Sequence, residues 1–372
     1  MKHKIIIDTI SLLSSLTGIG RYTYEIAKRV EKESGINSSF FYGYDSKTLI
    51  QSTDKNDLKI LKKILSKSQI LKKIARKLVT ISSRLFVPSY DLYWQPNFIP
   101  NEGIKAKKII TTVHDFSFIL HKDFHPKERI EHFEKYFFKN IIKSDMIITG
   151  SNFSKQEILD RLDFKENQIR VIYHGINHDL FKIYNDIKLD FQVPKKFIFS
   201  VGSIEPRKNL LGLLKAYNLL SKDVKSEYKL VLAGFKGWEN KEIMQIIDNN
   251  KENIIYLGFI SDIELAKVYN LATCFLFPSF YEGFGLPVLE AMACGTPVVC
   301  SNRSSLPEVG EDAVVYCNPD DISDIKEKIE LVLKDTLLQT EMIKKGIQRA
   351  RLFSWDKSAK EHIKVFEEVL KN

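Results

Sequence analysis

Cysteine is scarce in this sequence: Cys274, Cys294, Cys300 and Cys317 are the only four in 372 residues, and none stands in the close pairs of a metal-binding motif. That excludes a disulfide scaffold and predicts reduced core residues of a cytoplasmic protein. No apolar run approaches ~18 residues, so no membrane-spanning helix is expected. Met1 to Asp8 runs into Ile5-Ile6-Ile7 without the pattern of a signal peptide. Gly18-Ile19-Gly20 lacks the third glycine of a dinucleotide fingerprint, and no phosphate loop ending in Gly-Lys-Ser/Thr occurs, which argues against oxidoreductases and P-loop enzymes. Asp-x-Asp is missing too, so a carboxylate-bound divalent ion is not expected. His114, His121, His125 and His132 fit no standard ligand spacing, and no metal site is predicted there.

What is present describes a large α/β protein. A chain of 372 residues is too long for one ordinary core, and 44% hydrophobic with 28% charged residues excludes disorder. Short β-rich runs alternate with amphipathic helical stretches, the pattern of doubly wound parallel sheets covered on both faces. The pattern occurs twice. Strands are expected at 3–8, 38–43, 90–94, 108–113, 145–149 and 168–172, with helices near 20–33, 55–83, 126–143 and 152–162. A second set is expected at 197–202, 228–233, 253–257, 274–278, 297–300 and 313–316, with helices between them and three more at 321–335, 337–351 and 356–370. The polar stretch 177–194 reads as a linker between domains at 1–178 and 190–352. Ligands of such sheets bind in loops at the carboxyl ends of the strands, so two facing domains would share a cleft.

Two strand-to-helix loops carry the chemistry. The first runs from Phe277 through Glu282-Gly283-Phe284-Gly285-Leu286-Pro287 to Glu290 and Gly295. Pro287 suits a first helical turn and Gly295 a helix stop, placing Glu290 in the opening turns and Glu282 in the loop before them. Gly283 and Gly285 let backbone approach a ligand, the helix start offers N–H groups to phosphate, and a carboxylate there can hold a vicinal diol. The same loop could also be a tight turn with a solvated Glu282. The second loop is Gly202-Ser203-Ile204-Glu205-Pro206-Arg207-Lys208-Asn209, whose adjacent cations suit a diphosphate gaining charge as it leaves.

With these residues, and with Gly18-Ile19-Gly20-Arg21, His114-Asp115, Ser151-Asn152-Phe153-Ser154, His174-Gly175-Ile176 and Phe353-Ser354-Trp355, the chain resembles the retaining glycosyltransferases of family 4 over essentially its whole length. The resemblance implies a GT-B architecture: two Rossmann-like domains facing across a cleft, with a carboxyl-terminal helix, 353–372, crossing back to the first. It implies a nucleotide sugar donor bound by the second domain. Glu290 would hold the ribose, the loop at Gly258-Phe259-Ile260 the base, and Arg207 and Lys208 the diphosphate. Glu282 with Gly283, Phe284, Gly285 and Leu286 would engage the sugar and distal phosphate. Gly18 and Gly20 would bring amides from the first domain, and Ser203 replaces a basic residue common in relatives. Glu282, His114, Arg207 and Lys208 are the catalytic candidates, and neither cofactor nor divalent metal is implied. His114 is read either as a hydrogen-bond donor to the sugar or as a buried histidine bonded to backbone. Glu282→Ala is expected to abolish transfer with folding intact.

The charge of +9 is local. Residues 55–84 hold ten Lys or Arg against Asp57, and Leu58, Leu61, Ile64, Leu65, Leu71, Ile74, Ala75, Leu78 and Ile81 recur among them at helical spacing. Either this stripe packs on the first domain with its lysines solvated, or it docks on an anionic membrane surface. No aromatic interleaves it, and no nucleic-acid partner is expected. Similarity of 201–210 and 114–124 to bacterial mannosyltransferases of surface-polysaccharide (O-antigen, lipopolysaccharide or capsule) assembly favours transfer of mannose from GDP-mannose to a lipid-linked glycan at the inner face of the cytoplasmic membrane. The alternatives are a non-catalytic sugar-nucleotide- or membrane-binding module and a nucleotide-sugar epimerase of the same architecture.

Overall fold

The computed structural model describes residues 2–13, 18–50, 69–235, 237 and 241–371, with backbone alone for 69–76. The chain forms two compact units, one from Met1–Phe116, Lys127–His174 and Trp355–Asn372, the other from Ser117–Pro126 and Gly175–Ser354.

The first unit is built on seven strands: β1 (His3–Asp8), β2 (Ile36–Phe41), β3 (Asp45–Ser46), β4 (Tyr90–Gln95), β5 (Ala106–Thr112), β6 (Met146–Thr149) and β7 (Ile169–Val171). Their order is β3-β2-β1-β4-β5-β6-β7, parallel except for the short β3, which hairpins back onto β2. Central strands covered on both faces read as unbroken apolar runs, and Ile5, Ile6 and Ile7 of β1 are fully buried. The strand expected at 38–43 begins at Ile36, because β1 pairs it from His3↔Ile36 onward. Of the helix expected over 55–83, Gln69–Phe86 is described, and 55–68 lie outside the described residues.

From β1 the chain moves one way along the sheet to β2 and the edge strand β3, and from β3 onward it moves the other way. Right-handed crossovers therefore put Gly18–Val30 on one face and Gln69–Phe86 and Lys127–Ile141 on the other. The carboxyl-terminal helix Trp355–Lys371 packs on Gly18–Val30 through a stripe of Trp355, Ala359, His362, Phe366 and Val369. A hydrogen-bond chain crosses this seam. The Ser358 carbonyl, 2.7 Å from His362 Nδ1, takes the proton there and leaves Nε2 to accept from the Tyr22 hydroxyl at 2.6 Å. Tyr22 accepts from Thr112 at 3.0 Å, and Thr112 from Trp94 Nε1 at 3.1 Å.

The second unit has β8 (Phe197–Val201), β9 (Lys229–Ala233), β10 (Ile254–Tyr256), β11 (Cys274–Phe277), β12 (Val298–Ser301) and β13 (Val315–Cys317). Their order is β10-β9-β8-β11-β12-β13, parallel throughout. The four cysteines are buried free thiols of this unit, and burial pushes Cys274 up to about 12. The stretch read as a linker belongs to it from Gly175 onward, because Asn270 anchors it: Asn270 Oδ1 accepts from Tyr184 N at 2.9 Å and Nδ2 donates to Lys182 O at 2.8 Å. Ser117–Pro126 also belongs to it, His121 lying against Tyr281 and Phe124 against Phe280 at ring separations of 5.0 and 5.8 Å. At Gly234, φ is +136° and an added Cβ would stand 1.9 Å from Gly202 O, so no side chain fits where the loops after β8 and β9 touch.

Burial pushes His362 from 6.5 down to about 4, and lowers His114 and His174 as well. A histidine held neutral in the folded state lets the unfolded chain take up the proton first, so stability falls as pH drops from 6.5 toward 4. His362 alone accounts for roughly 3 kcal/mol over that window. Urea unfolding should give a lower stability at pH 5 than at pH 7, and His362→Gln should reduce the difference.

Candidate functional site

In the second unit the chain leaves β8 toward β9 on one side and leaves β11 toward β12 on the other, although β8 and β11 are neighbours. Loops diverging from adjacent strand ends open a crevice, the switch point where open α/β sheets take ligands. Both chemistry-bearing loops emerge there. After β8 the chain makes a single 3-10 turn, Pro206–Lys208, and then Asn209 turns left-handed at φ +53°. Asn209 is fixed by two other loops and its own helix: Nδ2 donates to Pro278 O at 3.1 Å and Pro319 O at 2.8 Å, while Oδ1 caps helix Leu210–Asn218 through Gly212 N.

The loop after β11 is held from both sides. Phe280 N donates to Arg207 O at 2.9 Å, and Arg207 Nη1 to Tyr281 O at 2.8 Å. Glu282 N donates to Ser304 Oγ at 2.9 Å, and the Ser305 hydroxyl lies 2.9 Å from both Glu282 O and Phe284 O. Gly285, at φ +114°, opens helix Leu286–Ala293 with Pro287 in its first turn. The helix ends in a Schellman motif, Thr296 N to Ala291 O and Gly295 N to Met292 O, with Gly295 at φ +73°.

These loops bring four charged groups together. Glu282 receives Arg207 Nη1 on Oε2 and Lys208 Nζ on Oε1, both at 2.7 Å, and Arg207 Nη2 reaches Glu205 Oε1 at 2.9 Å. The Glu282, Arg207 and Lys208 side chains are only 8%, 16% and 17% exposed. Burial pushes the Glu282 carboxyl up, but the charges and hydrogen bonds of Arg207 and Lys208 more than offset it and hold the group at about 2. Burial lowers Lys208, with Glu282 opposing, and its ammonium stands 4.8 Å over the Phe277 ring. The Glu282 carboxylate is therefore the counterion of two buried cations rather than a solvated loop residue.

The remaining residues singled out in the sequence fall into place around this cluster or in the other unit. Gly283, Phe284, Gly285 and Leu286 lie on the Glu282 loop and its helix start; Phe284 meets Phe353 edge-on at 5.9 Å. Glu290 is buried on the same helix and accepts from the Tyr269 hydroxyl at 3.4 Å. Ser203 is half-buried after β8. Phe259, beyond β10, is exposed and stacks on Phe235 at 4.5 Å and 21°. In the first unit Gly18 and Gly20 form the opening turn of a helix. His114 is buried after β5, its Nε2 2.8 Å from Pro96 O; a carbonyl only accepts, so Nε2 carries the proton and Nδ1 the lone pair. Of the four clustered histidines, His114 and His132 belong to the first unit and His121 and His125 to the second. Among the described residues no three His, Cys, Asp or Glu side chains gather as metal ligands.

Sequence reading assigned no role to Glu205, Asn209, Ser304, Ser305 or Phe235. Glu205 and Asn209 stood in the stretch already singled out, flanking its cations. The serines gave no signal, since their partners lie 21 to 23 residues away across a strand crossover.

Removing one partner of a buried ion pair strands the other, at a cost of about 3–5 kcal/mol. Glu282→Ala or Glu282→Gln should therefore destabilise the fold by this order, correcting the expectation that folding would be untouched. Glu205→Gln leaves Arg207 its Glu282 contact and should cost less, as urea unfolding of the two variants would show.

Two family models match the chain: Glycosyltransferase Family 4 over residues 16–180 and Glycosyl transferases group 1 over residues 182–349. The chain is 33% identical to the O-antigen chain mannosyltransferase B of Escherichia coli, over 98% of its own length and 99% of that protein. It is 31% identical to the Escherichia coli serotype-specific mannosyltransferase WbdA over 74% of this chain, which spans 35% of that longer protein. Among solved structures, a glycosyltransferase from Rickettsia africae ESF-5 superposes with a TM-score of 0.70 at 20% identity, covering 100% of this chain and 99% of that one.

Proposed function

The chain belongs to glycosyltransferase family 4, and on that premise we propose that it moves a hexose, mannose from GDP-mannose, to a growing lipid-linked glycan with retention of anomeric configuration. The observation that carries this reading is the Arg207–Lys208–Glu282 cluster at the carboxyl ends of β8 and β11. With Glu205 the cluster is neutral, so a diphosphate, which brings two negative charges, can settle only by drawing the cations away from Glu282. Arg207 then forks onto phosphate oxygens and Lys208 acts as a point charge. Glu282, released, accepts from sugar hydroxyls, while the N–H groups at Gly283 to Leu286 face the distal phosphate. Glu290 holds the ribose, and Phe259 on Phe235 offers a stacking face to the base.

The acceptor hydroxyl forms its bond to the anomeric carbon on the face from which the diphosphate departs. The bond to the phosphate oxygen breaks, and the departing oxygen takes the hydroxyl proton. Arg207 and Lys208 meet the growing charge, a role that calls for no divalent ion and no protein nucleophile. His114 is buried with its Nε2 proton on Pro96 O, the backbone-bonded reading of that residue, and no donor role toward the sugar is assigned to it. Mannose is supported by the mannosyltransferase that the chain matches end to end.

A ligand of the folded state raises stability by mass action. Thermal shifts against GDP, UDP, ADP and their sugars should single out GDP and GDP-mannose, and Phe259→Ala should shrink the shift; a response to UDP alone would reassign the base. Transfer should survive EDTA, and loss of activity on chelation would overturn the metal-free step. Conversion of donor to an epimer without acceptor, or failure of both transfer and hydrolysis, would remove the transferase reading.

A further inference from the structure

Over its last ten residues, 77–86, helix Gln69–Phe86 has two apolar sides, and among the described residues one is buried and the other exposed. Val79 packs into the cluster of Ile6, Phe41, Val87 and Tyr93, and Ser83 is fully buried, its hydroxyl bonded to Val79 O. Leu78, Ile81 and Leu85 follow one another at three and four residues on the opposite side, with Phe86 beside them, and exposure runs from 46% at Ile81 to 81% at Phe86. Single exposed apolar residues are ordinary; three at helical spacing on one side, with an exposed phenylalanine at the helix end, are not.

A second such surface adjoins it. On Lys127–Ile141, Phe133, Phe137 and Ile141 point to the core, while Phe138 and, just beyond the helix, Ile142 are 43% and 68% exposed. Both helices cover the same face of the sheet, and one loop joins them. Gly103 presses on Gln69–Phe86, where an added Cβ would stand 2.3 Å from Thr80 O, while the neighbouring Glu102 holds Lys139 and Lys143 at 3.2 and 2.9 Å. The charge around the two patches is net positive. Lys77, Arg84, Lys135, Lys139 and Lys143 stand against Glu134, one helical turn before Phe138, and Glu102 in the loop between the helices.

We propose that this face of the first unit docks reversibly on an anionic lipid bilayer, with Leu78, Ile81, Leu85 and Phe86 entering the boundary of headgroups and acyl chains and the cations meeting lipid phosphates. An apolar stripe framed by cations matches such a surface, where buried apolar area and electrostatic attraction add. The inference depends on the first unit alone and is independent of the sugar-transfer reading.

Flotation with vesicles of phosphatidylcholine and phosphatidylglycerol, and with phosphatidylcholine alone, tests it. The full chain should float with the anionic vesicles, less at high salt and weakly with neutral ones. Leu85→Glu with Phe86→Glu should lower the vesicle-bound fraction about tenfold without moving the thermal midpoint or donor binding, since both side chains are exposed. Leu85→Trp should show a blue-shifted emission quenched by brominated acyl chains. Binding that resists the double variant but vanishes on charge reversal within 55–73 would overturn the proposal in favour of that segment. So would a dimer that the double variant converts to monomer with flotation unchanged, which would make the face a contact between copies.

Discussion

Two cations buried within a few residues of one another need an anion, and here Glu282 is that anion. Much of the second unit's geometry follows from bringing it to them. β8 and β11 must be neighbours so that loops far apart in sequence meet; Asn209 must turn left-handed to tie the loop after β8 to Pro278 and Pro319; Ser304 and Ser305 must grip the Glu282 backbone from a third loop. Glu282 and Glu205 match Arg207 and Lys208 in charge, so the cluster balances within itself, each buried cation held by a carboxylate.

The first unit is organised by a different device, a hydrogen-bond chain with one direction. Trp94 donates to Thr112, Thr112 to Tyr22, Tyr22 to His362, and His362 to the Ser358 carbonyl. Each group has one role because the last acceptor is a carbonyl, which cannot donate. Buried networks of this kind specify an arrangement more than they add stability, since a register shift would leave several polar groups without partners.

Much of the architecture was legible because buried parallel strands read as apolar runs. Ile5-Ile6-Ile7 and Cys274 to Phe277 needed no context, and the glycine and proline punctuation around Leu286–Ala293 marked that helix at both ends. The two-residue β3 carries too little pattern to be seen, since its pairing depends on the hairpin that returns to β2. In the site, residue types were legible and relations were not. Glu282, Arg207 and Lys208 stood out by chemistry, but their mutual pairing is a product of strand order. The protonated nitrogen of His114 is chosen by the carbonyl of Pro96, 18 residues away, which no spacing rule encodes.

The first unit is also discontinuous: its last segment, Trp355–Lys371, is made after the whole of Gly175–Ser354. While the chain emerges from the ribosome, Tyr22 and Trp94 therefore wait for the helix that covers them, and the Tyr22 hydroxyl waits for its acceptor. The second unit has all its strands long before that, and Ser117–Pro126, its earliest segment, is already present. Order of synthesis thus favours completion of the second unit first, with the first unit closing as the last turns of the chain arrive.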